Sequence, residues 1–229
     1  MEQGKDLALY WAHLMEMKSD FVTAGWETLI MVVIASAVGA ILGLVLGVIL
    51  RLTAPGQLWQ HALFHRTLGV IIDFSRAFPF VILMIALVGF TRWIVGKGIG
   101  PYAAAVPLSV AAIPYFARLV EQSLREVPKG VLEAAQAMGA SDFTMIVKVL
   151  LLEARAGLIA STTVLIISVL NYSAAAGMLG GGGLGDLAIR FGHYRGQYDV
   201  TIAVVVILSI LVILIQTIGN FLARRLDKR

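Results

Sequence analysis

The sequence predicts an all-α, polytopic membrane protein of about five transmembrane helices, with a polar helical loop between the third and fourth. Three observations carry this. Hydrophobic residues make up 59% of the 229 residues and charged residues only 14%, with a mean hydropathy of +0.88, far above an ordinary soluble domain. Uncharged runs cover residues 28–50, 98–117, 156–185 and 200–223, each long enough for a hydrocarbon core ~30 Å thick at ~1.5 Å per residue. Between Arg118 and Arg155 stand ten charged residues. A charge at a bilayer centre costs roughly 2.5–3.5 kcal/mol, so this segment belongs in water or on a partner.

Residues 1–20 carry Glu2, Lys5, Asp6, Glu16, Lys18 and Asp20 and no long apolar run. They read as an extracytoplasmic segment and not as a cleavable signal peptide. Leu7, Tyr10, Trp11 and Leu14 at helical spacing fit a short interfacial helix, and a frayed terminus fits equally. Residues 21–229 form the transmembrane domain. In the first span Ala35, Gly39, Gly43 and Gly47 recur every four residues, a seam for close helix packing.

The second span joins the short apolar run 77–91 to residues 68–76, placing Asp73 and Arg76 three apart at the membrane edge, where they can pair. Pro101, Pro107 and Pro114 interrupt the third span, freeing backbone groups and permitting kinks. The fourth holds Asn171, Tyr172 and Ser173 deep within it, followed by Ala175 and Met178. These residues either bond a neighbouring helix or line a pathway or gate. No carboxylate falls mid-span, since Asp73 lies near an edge; an ion-coupled transporter would need one.

Lys and Arg counts set the orientation. With the 118–155 loop in the cytoplasm, twelve of the eighteen basic residues lie inside, placing the N-terminus outside and the C-terminus inside. The tail from Arg224 to Arg229 then anchors on anionic lipid and is not a nucleic-acid patch.

Enzyme chemistry finds no footing. There is no cysteine, and His61 and His65 lack a third metal ligand nearby. No Ser/His/Asp constellation or carboxylate pair presents a hydrolytic site. The run Gly180–Gly185 satisfies G-x-G-x-x-G only formally, because a membrane span and not a strand precedes it; it reads as a close-approach segment at the outer mouth or as an irregular loop. No phosphate-binding G-x-x-x-x-G-K-[ST] exists in the chain.

Inside the loop, Pro128 suits a helix start, and Val131, Leu132, Ala135 and Met138 form an apolar stripe. Gly139 can take the positive φ that ends the helix, and Ser141 can cap a second, with Asp142 near its positive end. This is a helix–turn–helix knob, with Ala134, Ala135 and Ala137 leaving room for close contact by a cytosolic partner.

Glu133-Ala134-Ala135, Gly139 four residues beyond, then Val149 and Leu151, resembles the EAA loop of ATP-binding-cassette importer permeases. Their pattern is E-A-A, three residues, G, nine residues, I, one residue, L-P. Val149 stands for the isoleucine and Leu152 for the proline, and Ala156 where a second proline is expected. From Trp26 onward the chain resembles the methionine-type permeases of this family. The resembling segments include Arg76–Phe80, Phe90–Arg92, Val106–Leu108, Pro114–Arg118, Ala137–Ala140 and Gly182–Gly185.

The resemblance implies an importer permease in the bacterial inner membrane, translocating an amino acid (methionine) by alternating access. Related permeases carry other amino acids or small solutes. It implies a homodimer with two cytosolic ATPase subunits and an extracytoplasmic substrate-binding protein. ATP and Mg are bound by the partner and no cofactor by this chain. The implied coupling residues are Glu133, Ala134, Ala135, Met138, Gly139, Ala140, Ser141 and Asp142. A secondary transporter and a membrane scaffold are the competing classes.

Overall fold

The structure is a computed structural model that describes residues 10–227. Elements among these residues are helices joined by turns. After a helical stretch at 10–16 come α1 (Lys18–Leu52), α2 (Ala62–Ala77), α3 (Phe80–Ala86), α4 (Val88–Val95) and α5 (Pro101–Arg125). Then follow α6 (Lys129–Ala137), α7 (Asp142–Thr144), α8 (Leu151–Glu153), α9 (Arg155–Ala176), α10 (Gly183–Leu187) and α11 (Tyr198–Leu226). Four helical segments are long and apolar enough to cross a membrane, beginning at Lys18, Pro101, Arg155 and Tyr198; a fifth span arises if α2 and α3 count as one.

The hydropathy reading holds, with three corrections. The second span is not a single rod: α2 ends at Ala77 and α3 starts anew at Phe80. Pro79 is the cause, because it pushes the preceding residue out of the α region, and Phe78 sits at φ −74, ψ 130. The interruption expected in the third span is absent: one helix covers Pro101–Arg125, running through Pro107 and Pro114. Pro101 takes the first position, where no N–H is needed. Finally, α1 begins at Lys18 and is 35 residues long, about 52 Å at ~1.5 Å per residue, so Glu27 lies inside a helix expected to start after it.

The chain forms two compact units. The first gathers residues up to Ala35, Phe80–Leu108 and Ser168–Ile213. Its core is Met17, Ala24, Leu184, Leu187, Val200 and Val204, with Leu14 and Phe21 packed against it. His13 Nδ1 lies 2.6 Å from Asp199 Oδ2, tying the N-terminal helical stretch to the start of α11. Between α9 and α10 the backbone reverses through Gly180, Gly182 and Gly183, all at positive φ, which L-residues with a Cβ disfavour. A Cβ on Gly185 would run into the backbone of Ala174, and one on Gly177 into that of Asp186. The glycine run is a backbone-on-backbone turn.

The second unit gathers Ser36–Pro79, Ser109–Ile167 and the chain from Leu214. Here the predicted small-residue seam lies against α5. A Cβ on Gly39 would come 2.6 Å from Ala112 Cβ, on Gly43 2.8 Å from the Ile113 carbonyl, and on Gly47 2.6 Å from the Ala117 carbonyl. Leu50, Ile72 and Ala117 form a buried cluster beside it, joined by Leu46 and Leu68. Because lipid supplies no hydrophobic drive between helices, this contact rests on dispersion at short range.

Overpacking such a seam costs about 1–3 kcal/mol. Gly47→Ala is therefore expected to lower the thermal midpoint of the purified protein in detergent. Gly25→Ala, where the added methyl meets nothing within 4 Å, leaves it unchanged or higher. Equal midpoints for the two variants would contradict the seam.

Candidate functional site: the polar loop and the fourth span

The loop is built by local signals. Pro128 precedes α6 at φ −60, ψ 133. At the other end the Gly139 N–H bonds the Gln136 carbonyl at 3.0 Å and the Ala140 N–H bonds the Ala135 carbonyl at 3.1 Å. With Gly139 at φ +76 this is a Schellman ending, which satisfies carbonyls the helix would leave orphaned. Ser141 Oγ then accepts from the Thr144 N–H at 3.4 Å and donates to Thr144 Oγ1 at 3.0 Å. Asp142 sits in the first turn of α7, and its Oδ2 accepts from Trp59 Nε1 at 2.8 Å. The loop between α1 and α2 thereby pins the second helix of the elbow.

After α7 the chain widens into a π-helical turn over Met145–Leu150. It breaks at Ala154, φ −78, ψ −2, before α9 starts. Leu152, where the family pattern has proline, is helical, and the break follows at Ala154.

The apolar stripe divides in two. Ala135 is buried, as are Met145 and Leu150, and these hold the elbow to its unit. Val131 is at the surface, Met138 is 82% exposed and Phe143 73% exposed. Glu133, Ala134, Gly139, Ser141 and Asp142 are exposed, and Ala140 is half-buried. Charged and apolar groups thus share a face left bare among the described residues.

The polar segment is shorter than the expected 118–155. Residues 118–125 are the last two turns of α5, and their charges are matched in place. Glu121, with a side chain only 4% exposed, accepts from Arg118 Nη1 at 2.6 Å and from Arg125 Nη2 at 2.5 Å. The Arg118 guanidinium also forks onto Asp73, at 2.9 and 2.7 Å, and reaches the Gly69 carbonyl at 2.9 Å. Asp73 does pair with Arg76, but at 3.8 Å; Arg118 is its main partner. Arg51, buried in the last turn of α1, donates from Nε to the Leu124 carbonyl at 3.3 Å.

On the fourth span, Asn171, Ala175 and Met178 follow one helical face at spacings of four and three; Asn171 and Met178 are exposed and Ala175 is half-buried. Tyr172 stacks on Phe80 at 5.2 Å. Ser173 is buried and its hydroxyl returns to the Leu170 carbonyl at 2.7 Å, so the three polar residues do not converge. Glu27 lies within α1, just ahead of its uncharged run. Its Oε2 accepts from the Gly183 N–H at 2.7 Å, while Thr28 Oγ1 accepts from the Leu184 N–H at 2.9 Å. A polar pocket of about 430 Å³ lies beside them, lined by Asp20, Glu27, Gly182, Asp186 and Arg190 among others.

Neither histidine of the second unit is arranged for a metal. His61 Nδ1 accepts from the Phe64 N–H and starts α2, and His65 Nδ1 bonds the Leu50 carbonyl. Among the described residues no three His, Asp or Glu side chains gather to hold one.

Residues 39–229 match the family of binding-protein-dependent transport system inner membrane components. The chain belongs to that family. The permease is 48% identical over 221 residues to the probable D-methionine transport system permease protein MetI of Vibrio cholerae, spanning 95% of this chain and 97% of that one. It is 42% identical over 181 residues to the methionine import system permease protein MetP of Bacillus subtilis, 79% and 82% of the two chains. Its fold superposes on a solved structure of inward-facing conformations of the MetNI methionine ABC transporter with a TM-score of 0.91. There the identity is 41%, over 93% of this chain and 99% of that one.

Four residues that position this permease's site escaped the sequence reading: Glu27, Thr28, Trp59 and Glu121. Trp59 and Asp142 are 83 positions apart, and Glu27 and Gly183 are 156, so no local pattern could pair them. For Glu27 the available hints were a charge just before an apolar run and its place in Trp26-Glu27-Thr28, a segment resembling the methionine-type permeases. Leaving a buried donor unmatched costs about 1–3 kcal/mol. Glu27→Ala, which strands the Gly183 N–H, is expected to lower the thermal midpoint, and Glu27→Gln, which keeps an acceptor oxygen, to lower it less. An Ala variant as stable as the wild type would exclude the bond's role in holding the turn.

Proposed function

We propose that this permease carries methionine into the cell as the membrane subunit of an ATP-driven importer. It works as a pair of identical chains with two cytosolic ATPase subunits and an extracytoplasmic binding protein that delivers the solute. The single observation that carries the reading is the elbow. Its two short helices, joined at Gly139 and capped at Ser141, present Glu133, Met138 and Phe143 on a bare surface. Family membership and the whole-length similarity to methionine permeases support the substrate.

The charge bias supports a cytoplasmic elbow with the N-terminus outside and the C-terminus inside. ATP binding draws the two ATPases together, and a groove on each carries its elbow with it. Glu133 offers a carboxylate for charge-assisted hydrogen bonds to the groove, while Met138 and Phe143 give it apolar anchors. The helix after the elbow is unbroken from Arg155 to Ala176, so its displacement reaches Asn171, Tyr172 and Ala175 directly. The ATPases bind the nucleotide and its Mg; this chain supplies the moving walls. Alternation between inward- and outward-open arrangements then follows from rocking these rods.

Reconstitution of the complete transporter in proteoliposomes tests this. Uptake of radiolabelled methionine is expected to require ATP and the binding protein, and to be competed by unlabelled methionine better than by leucine. Equal competition would assign a different amino acid, and uptake without ATP would refute the mechanism. Gly139→Pro removes the N–H that bonds Gln136 and forbids the positive φ. It is expected to leave membrane insertion intact, to retain ATP hydrolysis, and to lower uptake by at least tenfold. Normal accumulation by that variant would refute the elbow's role.

A further inference from the structure

We infer that Glu121 is the positioning residue through which displacement of the elbow is passed to α1 and α2, a step that rests on the coupling role proposed above. Three observations converge on this carboxylate. It is buried, yet both oxygens are engaged, Oε1 by Arg125 and Oε2 by Arg118. Arg125 is the last residue of α5, three positions before Pro128 opens the elbow. Arg118 holds α2 at two points, the Asp73 carboxylate and the Gly69 carbonyl, and close packing leaves the guanidinium 3.1 Å from where a Gly69 Cβ would stand.

The end of α1 enters the same knot. Arg51 grips the Leu124 carbonyl, one residue from Arg125, and its charge is repelled by Arg125 and attracted to Glu121. One carboxylate therefore sits among guanidinium groups from two helices, at the corner where α1, α2 and α5 meet the start of the elbow. Such a pairing is short and directional, and Glu121, its buried member at 4% exposure, would be left an uncompensated buried charge if it lost its arginines. A force on Arg125 is thereby shared with α2 and is not absorbed by bending the end of α5.

The test uses the complete transporter in proteoliposomes and reads molecules of ATP hydrolysed per molecule of solute accumulated. Glu121→Gln keeps the side chain's shape and removes the charge; we expect ATP hydrolysis to persist while solute moved per ATP falls about tenfold. Asp73→Asn acts at the exposed rim of the same network, where the side chain is 59% exposed, and is expected to lower the ratio about threefold. The double variant is expected to match Glu121→Gln alone, since both cut one chain of contacts.

If Glu121→Gln does not assemble, Asp73→Asn decides: a lowered ratio supports the relay and an unchanged ratio overturns it. A loss of hydrolysis and uptake in equal proportion in both variants also overturns it, because that is what a purely structural role gives. Gly139→Pro, run in parallel, separates the two ideas. If it uncouples while Glu121→Gln and Asp73→Asn do not, the elbow stands and the relay falls; if it too stays coupled, the elbow reading itself has failed.

Discussion

An uncompensated charge at a bilayer centre costs roughly 2.5–3.5 kcal/mol on insertion scales, and this chain carries several carboxylates within long apolar helices. Three of them have partners in the structure. Glu27 in α1 accepts a backbone N–H from the turn before α10, Asp199 at the start of α11 meets His13, and Glu121 near the end of α5 holds two arginines. These pairings allow helices to begin earlier or end later than hydropathy alone permits. They also decide which charges remain free to leave the membrane surface. Once residues 118–125 are neutralised among themselves and with Asp73, the segment around Glu133 is left to face outward.

Close backbone approach is the second constraint, and glycine meets it twice. In the second unit Gly39, Gly43 and Gly47 let α1 lie against α5 with no room for a methyl. In the first unit Gly177 and Gly185 bring two limbs of one turn into contact, with Gly180, Gly182 and Gly183 supplying the positive φ values. Both are places where a rigid contact forms without apolar bulk.

Much of the elbow was legible because its signals are local. Pro128 opens a helix, Gly139 closes it with positive φ, and Ser141 starts the next, all within fourteen residues. The spans were legible from uncharged runs, except where tertiary partners changed the rule: α1 extends back across Glu27, whose carboxylate accepts the Gly183 N–H. Pro79 carried a visible breaking signal, yet the apolar run on both sides of it read as continuous. Pro107 and Pro114 show the converse, since a helix can run through proline. Trp59, Glu121 and the exposed face shared by Met138 and Phe143 were out of reach, because each depends on which distant residue lies opposite.

The central claim is that the elbow lies in the cytoplasm and is covered by an ATPase subunit. The chain has no cysteine, so a single thiol introduced by Met138→Cys, at a site 82% exposed, reports on that surface alone. In inside-out membrane vesicles a membrane-impermeant maleimide is expected to label it rapidly when the ATPase subunits are stripped away, and at least tenfold more slowly when they are bound. Labelling from the opposite face, or at the same rate with and without the ATPases, would contradict the account.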